Sequence, residues 1–279
     1  MYDNLSRKNH SFFLGTEQLG GSVKFQEGDI LDSRTLRQAL DGVDVVFHLA
    51  AKATTPFADS QAQLFEQINH WGTAETVYAI EQSKVRRLVH LSSASVYGSS
   101  SEEVSEESEP RPNSIYGKSK FKAEKQVARL FGSETETFII RCANIFGHNR
   151  SMRFDGVINR FMFESVHSKR LTINGDGEQH RSFISIERAA SSIANLVDSK
   201  LEPGVYNLVD HSWTINQLAN YMKAAFGHLE TIHINQDLQL NQLRVKPNSQ
   251  MAELADMPET ALIEYLGEFS RKFRFQNRP

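Results

Sequence analysis

The sequence predicts an α/β fold: a doubly wound parallel sheet followed by a smaller C-terminal α/β lobe. Three observations predict it. Short β-rich apolar runs alternate with helix-length amphipathic segments, the pattern of a parallel sheet covered by helices on both faces. The run Val43–Ala50 is nearly continuously apolar, as expected of a strand buried on both faces. After Gly147 the rhythm changes to shorter runs separated by helices, which marks the smaller lobe.

The elements follow in order. Ser22–Phe25 reads as a strand. Asp32–Leu40 reads as a helix, with Asp32 or Ser33 as N-cap and Leu36 and Leu40 four residues apart. Val43–Ala50 is the next strand, and Ser60–Ser83 a long helix with Leu64, Ile68, Val77 and Ile80 at roughly helical spacing. Strand, helix and strand continue at Arg87–Ser92, Ser114–Phe131 and Thr137–Cys142. In the lobe, Leu171–Asn174, Val205–Val209 and Thr231–Ile234 read as strands of two short sheets. Helices are expected at Val157–Val166, Glu187–Val197, Thr214–Phe226 and Thr260–Phe273. The Ser/Glu-rich stretch Ser99–Glu109 has no periodicity and reads as a solvated loop.

Bulk properties exclude several classes. The 279 residues carry 39% hydrophobic side chains, enough for a packed core. A formal charge of −3 gives no basic footprint for nucleic acid or a membrane surface. The single cysteine, Cys142, excludes an internal disulfide framework and fits a reducing compartment. No stretch approaches the roughly 20 apolar residues of a membrane span. A cytoplasmic protein is expected. The ten histidines show no metal-ligand spacing; His48 reads as a structural strand residue, and Asp176, between glycines, as part of a turn.

The chemistry concentrates in Tyr116-Gly-Lys-Ser-Lys120. At the start of a helix, residues i and i+4 share one face, so the phenol and the second ammonium project into the same space. Tyrosine ionises near pKa ~10 and is a poor base at neutral pH unless a cation favours its phenolate. Lys120 stands where it can supply that cation. Upstream, at the end of an apolar strand, lies Ser92-Ser93-Ala94-Ser95-Val96-Tyr97-Gly98. A hydroxyl at the C-terminal end of a parallel strand sits where open α/β sheets place ligands. Ser93 is therefore the candidate to hydrogen-bond a substrate oxygen while Tyr116 moves its proton.

These motifs, with Asp44-Val-Val-Phe-His-Leu-Ala-Ala51 and Ile140-Arg-Cys-Ala-Asn-Ile-Phe-Gly147, occur in the order and spacing of extended short-chain dehydrogenases. The chain resembles the NAD-dependent epimerase/dehydratase family, of the UDP-galactose 4-epimerase type. The resemblance implies a Rossmann-like sheet, a dinucleotide-binding domain over residues 1–147, and a substrate lobe over 148–279 with some segments returning to the main domain. It implies a nucleotide-sugar substrate, NAD as cofactor, and Ser93, Tyr116 and Lys120 as the catalytic set. On the cofactor side it implies Asp3 and Asn4 near the adenosine ribose, and Asp29 and Ile30 at the adenine. Leu49, Ala50, Ala51 and Lys52 would lie along the cofactor, with Asn69, Tyr116 and Lys120 near the active site. Asn144, Arg181 and Arg244 would hold the sugar-nucleotide diphosphate, for which the planar donor fork of arginine is suited. Relatives are often dimers through two helices, for which Ser60–Ser83 and Ser114–Phe131 are the candidates.

Departures from the family pattern sharpen the expectation. Ala94 and Ser95 stand where dehydratases carry an acidic pair, so 4,6-dehydration is not expected. Arg188 stands where the family usually has an aspartate, and the C-terminal tail lacks the usual leucine-glycine-tryptophan. Most consequentially, none of the 16 glycines forms the G-x-x-G-x-x-G turn between strand and helix; Gly15, Gly20 and Gly21 lie in a loop-like segment. Residues Met1–Ser6 resemble the end of a second strand, so an N-terminally truncated sheet lacking its central strand is expected. The expected activity is C4 epimerisation impaired by a missing phosphate cradle, with weak or absent NAD binding. A 4-ketosugar reductase and a non-catalytic remnant binding a nucleotide-sugar or a protein partner are the alternatives.

Overall fold

In the computed structural model, which describes residues 1–8, 10, 13, 22–53, 61–149, 151–235, 240–257 and 260–273, the chain divides into two units. The first comprises Met1–Val96, Pro112–Arg141 and Lys200–Tyr206, the second Tyr97–Arg111, Cys142–Ser199 and Asn207–Pro279. Gly15, Gly20, Gly21 and Ser60 lie outside the described residues.

The first unit opens with two short strands, β1 (Tyr2–Asp3) and β2 (Gln26–Glu27), paired parallel. The strand expected at Ser22–Phe25 therefore sits later: Gln26 N donates to Met1 O and Gly28 N to Asp3 O, and β1 offers only two residues to pair with. Helix α1 (Ser33–Ala39) is capped by Asp32, whose carboxylate accepts from Arg34 N and Thr35 N. Strand β3 (Val45–His48) pairs parallel with β4 (Arg87–Ser93), setting His48 opposite His90. Between them, α2 (Ala62–Phe65) runs through a π-helical turn, Glu66–Trp71, into α3 (Gly72–Glu81). After β4 come a 3₁₀ turn from Ala94, α4 (Ile115–Val127) and β6 (Glu136–Cys142).

The main sheet has the order β10 (Gly204–Leu208), β6, β4, β3. Leu36 and Leu40 of the α1 segment, Val77 and Ile80 of α3, and Val127 of α4 join Leu88 and Ile139 of the strands in one apolar core. Positions alternate along β4, so Leu88, His90 and Ser92 share the face toward this core.

Val43–Ala50 is not buried on both faces as its composition suggests. Its strand is the last in the sheet order, Phe47 is 36% exposed and Leu49 is 52% exposed. Among the described residues, β1 and β2 form a separate two-stranded sheet, so β3 keeps one edge without a ladder partner.

The second unit contains, among the described residues, three small sheets where two were expected. Strand β9 (His180–Ser185) lies parallel to β7 (Asn144–Phe146) and antiparallel to β11 (His211–Thr214). Strand β8 (Arg170–Asn174) pairs with β12 (Glu230–Ile234), and β5 (Glu103–Val104) with β13 (Arg244–Val245). The last pair corrects the reading of Ser99–Glu109 as a solvated loop. It carries a strand, and Glu106 accepts from Asn207 N and Asn248 Nδ2. Its polar composition serves specific hydrogen bonds, which periodicity does not reveal.

Helices α5 (Val157–His167), α7 (Ile215–Phe226) and α9 (Leu262–Ser270) surround a core that includes Phe161, Leu171, Phe183, Leu218 and Leu266. A capping box between Thr214 and Gln217 starts α7. The β8–β9 turn is as expected: Gly175 and Gly177 have φ of 73° and 82°, and Asp176 Oδ1 accepts from Glu178 N. Arg188, in α6 (Ile186–Asn195), pairs at 2.9 Å with Asp210, and its guanidinium also donates to Met257 O. The cation in place of the usual aspartate thus has its own counter-ion. Short α8 (Ser249–Glu253) is capped by Asn248. Among the described residues, no helix is long and apolar enough to cross a membrane, and no group of three or more His, Cys, Asp or Glu is placed to hold a metal ion.

Candidate active site

The first unit places the catalytic candidates around the C-terminal end of β4 and the first turns of α4. Ser114 caps α4 by accepting from Gly117 N, which aligns Tyr116 and Lys120 one turn apart. Lys120 is 2% exposed, and its Nζ donates to the carbonyl of Leu91 at 2.6 Å. The ammonium is thereby fixed two residues before Ser93 on β4. Tyr116 is half-buried, with its ring edge-on to Phe65 at 6.3 Å. Ser93 Oγ accepts from Ser95 N at 3.2 Å and from the Ser95 hydroxyl at 3.0 Å. Ser95, one of the residues replacing an acidic pair, thus orients the candidate hydroxyl.

Gly117 shows why the second residue of the Tyr-Gly-Lys sequence is glycine. A Cβ there would lie 2.5 Å from the Ser95 carbonyl oxygen and 3.0 Å from Ser114 Oγ. The helix backbone therefore approaches the serine turn closely.

Asn69 sits in the π-helical turn, fully buried. Its Oδ1 accepts from Lys52 N at 2.7 Å, and its Nδ2 donates to Lys52 O at 3.0 Å and Ser119 Oγ at 2.9 Å. Ser119 in turn donates to Tyr116 O. The amide ties the segment after β3 to the helix that carries Tyr116. π-Helical turns inside α-helices are frequent at functional sites.

The other sequence-derived positions fall as follows. Asp3 and Asn4 are exposed, and their side chains accept from Leu5 N and Ser6 N. The Asp29 carboxylate accepts from Leu31 N and from Asn4 Nδ2. Ile30 packs directly over Gly72, where a Cβ would lie 2.4 Å from the Ile30 Cδ1 methyl. Leu49 and Ala50 are exposed beyond β3, with Ala51 and Lys52 half-buried. In the second unit, Asn144 Nδ2 donates to Ser182 O, and Arg181 donates to His180 O and Asn241 O. Arg244 lies on β13, which follows β9 through Leu243 N to His180 O and Val245 N to Ser182 Oγ. Burial first, then the charge of Arg244, lowers the pKa of His180, so Arg181 and Arg244 flank the same stretch of β9.

Sequence reasoning missed a buried network beneath Lys120. Glu124 accepts from the Ser92 hydroxyl at 2.5 Å and from Arg141 Nε and Nη2 at 3.1 and 2.8 Å. A signal was present: Arg141 interrupts an otherwise apolar strand run, and Glu124 stands four residues after Lys120. Burial lowers Lys120 to about 8, and burial followed by the Lys120 charge lowers His48 to about 3. Burial pushes Cys142 up to about 12, which makes it an inert thiol.

Residues 2–208 match the profile of the NAD dependent epimerase/dehydratase family, well over half of the chain. The chain belongs to that family. It is 29% identical over 204 residues to the mouse dTDP-D-glucose 4,6-dehydratase, covering 71% of this chain and 57% of that protein. It is likewise 29% identical over 203 residues to an N-acetyl-α-D-glucosaminyl-diphospho-undecaprenol 4-epimerase of Escherichia coli O157:H7, covering 69% and 58%. The chain thus spans little more than half the length of these curated relatives. Among solved structures it is similar to MoeE5 in complex with UDP-glucose and NAD, with a TM-score of 0.78 at 25% identity over 91% of this chain and 87% of that one. The UDP-glucuronic acid 4-epimerase of Bacillus cereus, solved with NAD, shares the fold, with a TM-score of 0.77 at 24% identity over 94% and 80%. The fold is α/β with a parallel sheet of the Rossmann-like type.

Proposed function

We propose that this family member is a sugar-nucleotide C4 oxidoreductase of the epimerase type. The observation that carries the reading is the buried Lys120 ammonium, held on the Leu91 carbonyl one turn after Tyr116 and beside the strand end bearing Ser93. Tyr116, favoured toward phenolate by that ammonium, takes the proton from the sugar C4 hydroxyl and later returns it. Ser93 donates to the same oxygen. NAD, when bound, would supply the hydride acceptor for C4 and the donor that returns the hydride to the opposite face. General acid–base help of this kind is worth about 10²–10⁴ in rate. Asn144, Arg181 and Arg244 are assigned to the substrate diphosphate.

The groups present fit the two ends of the cofactor. Exposed Leu49 and Ala50 offer an apolar surface for a flat ring, and Asp3 keeps a carboxylate in solvent for ribose hydroxyls. Between those ends the sequence has no glycine turn for the pyrophosphate. The second reading is a chain that binds a nucleotide-sugar without turning it over. Tyr116→Phe separates the two. On the first reading the variant keeps the far-UV spectrum and nucleotide-sugar affinity, and loses C4 interconversion by about 10²-fold or more. Equal, negligible turnover by both chains, with intact sugar-nucleotide binding, would establish the second.

A further inference from the structure

We infer that Glu124, held by Arg141 and Ser92, is a positioning residue that fixes the charge and the place of Lys120. The inference rests on the catalytic reading of Tyr116 and Lys120 and adds a residue that neither motif contains. Lys120, Glu124, Arg141 and Ser92 are all at most 5% exposed. A lysine so buried is costly to keep charged unless an anion is near. Glu124 lies one turn further along α4, and among the described residues it is the anion that acts on Lys120.

Among the described residues, the other groups near the ammonium supply no standing negative charge, and Tyr116 becomes anionic only as the phenolate that Lys120 favours. Tyr116 precedes it on α4, and the Leu91 carbonyl of β4 accepts one proton. His90 on β4 and His48 on β3 are buried and held neutral, and the His90 ring nitrogens have no hydrogen-bond partner. Arg141 on β6 is a cation, and it shares the same carboxylate. The charge on Lys120 is therefore set by a contest. Glu124 supports it, while Arg141 draws on the same carboxylate.

The geometry also registers the site. In consecutive residues of β4, the Leu91 carbonyl receives Lys120, the Ser92 hydroxyl grips Glu124, and the Ser93 hydroxyl is oriented by Ser95. One carboxylate thus ties the strand bearing Ser93, the helix bearing Tyr116 and Lys120, and strand β6. A purely structural role explains this poorly. Buried ion pairs are often replaced by apolar side chains at no loss of stability, whereas removing one partner alone is costly.

The test reads Lys120 directly. In the full chain labelled with ¹³C-lysine, the Lys120 side-chain carbon resonance, assigned by its loss in Lys120→Arg, is followed against pH. Its midpoint is expected near 8. Glu124→Gln should lower that midpoint by at least one pH unit. Arg141→Met should raise it, because Glu124 then acts on Lys120 alone. The Glu124→Gln/Arg141→Met double variant removes the Arg141 cation together with its carboxylate partner and should also lower the midpoint; it replaces the single variant if that one does not fold. Opposite shifts on removing the anion and the cation support the inference. An unchanged midpoint in the variants lacking Glu124, or shifts of the same sign in the Glu124 and Arg141 variants, overturns it. Where the chain turns over sugar nucleotides, the alkaline fall in kcat should follow the midpoint from variant to variant. Lys120 shifts as stated in a chain without turnover would refute the functional reading and leave the role of Glu124 standing.

Discussion

Replacing Asn69 by alanine removes a buried amide that makes three hydrogen bonds, two to the backbone of Lys52 and one to Ser119. Each such bond contributes about 0.5–1.5 kcal/mol net, and a buried partner left unmatched costs about 1–3 kcal/mol. Lys52 is only half-buried, so water can replace part of its loss, whereas Ser119 is buried and cannot be reached. A destabilisation of about 2–4 kcal/mol follows from these values. At about 2–4 °C per kcal/mol for a chain of this class, Tm should fall by roughly 4–16 °C. Asn69→Asp is the sharper probe. It keeps the acceptor for Lys52 N, loses both donors, and buries a charge, so it should be worse than alanine. Urea unfolding followed by circular dichroism gives both values. A loss below about 0.5 kcal/mol in Asn69→Ala, or an aspartate variant more stable than the alanine one, would refute the assignment of Asn69 as the clamp.

Three further outcomes are expected. The 279-residue chain should bind NAD weakly: losing two charge-assisted bonds to the pyrophosphate, at about 1.5–3 kcal/mol each, weakens binding roughly 10²–10⁴-fold. Calorimetric titration showing micromolar affinity would contradict it. His48 stays neutral in the folded chain down to about pH 3 but gains a proton near 6.5 when unfolded, so stability should fall as pH drops through that window. His48→Gln should flatten the pH–stability curve between pH 6.5 and 4, and parallel curves would exclude the effect. Gly117→Ala should push the start of α4 away from the Ser95 carbonyl, costing about 1–3 kcal/mol and most of any turnover; a variant as stable and as active as the parent would show that the contact is not needed.

Much of the architecture was legible because buried strands and amphipathic helices leave strong periodic signals. The segments around Leu88, Ile139, Val157 and Leu218 fell within a residue or two of expectation. The catalytic candidates were legible because Tyr116 and Lys120 share a helix face whatever surrounds them. Pairing partners were not legible. The Glu103–Val104 strand exists only because Arg244–Val245 comes alongside it, a relation that no local pattern carries. Exposure of Phe47 and Leu49 likewise depends on the place of β3 at the end of the described sheet order, not on the residues themselves. The role of Glu124 was hidden for the same reason: its partners Ser92 and Arg141 come from two other strands.

The order in which the chain visits its two units limits how the protein can be recombined. Each unit is assembled from three separate segments, so the polypeptide passes from one to the other after Val96, Arg111, Arg141, Ser199 and Tyr206. Ordinary domain boundaries fall in a single linker, and a cut there releases two whole modules. Here no single cut does so. A chimera that borrows the second unit of a relative must exchange residues 97–111, 142–199 and 207–279 together, while leaving two intervening stretches native. Crossovers at one point graft part of each unit onto part of the other. Side-chain replacement within a single element, such as β9 or β13, avoids this constraint, whereas exchange of continuous blocks meets it.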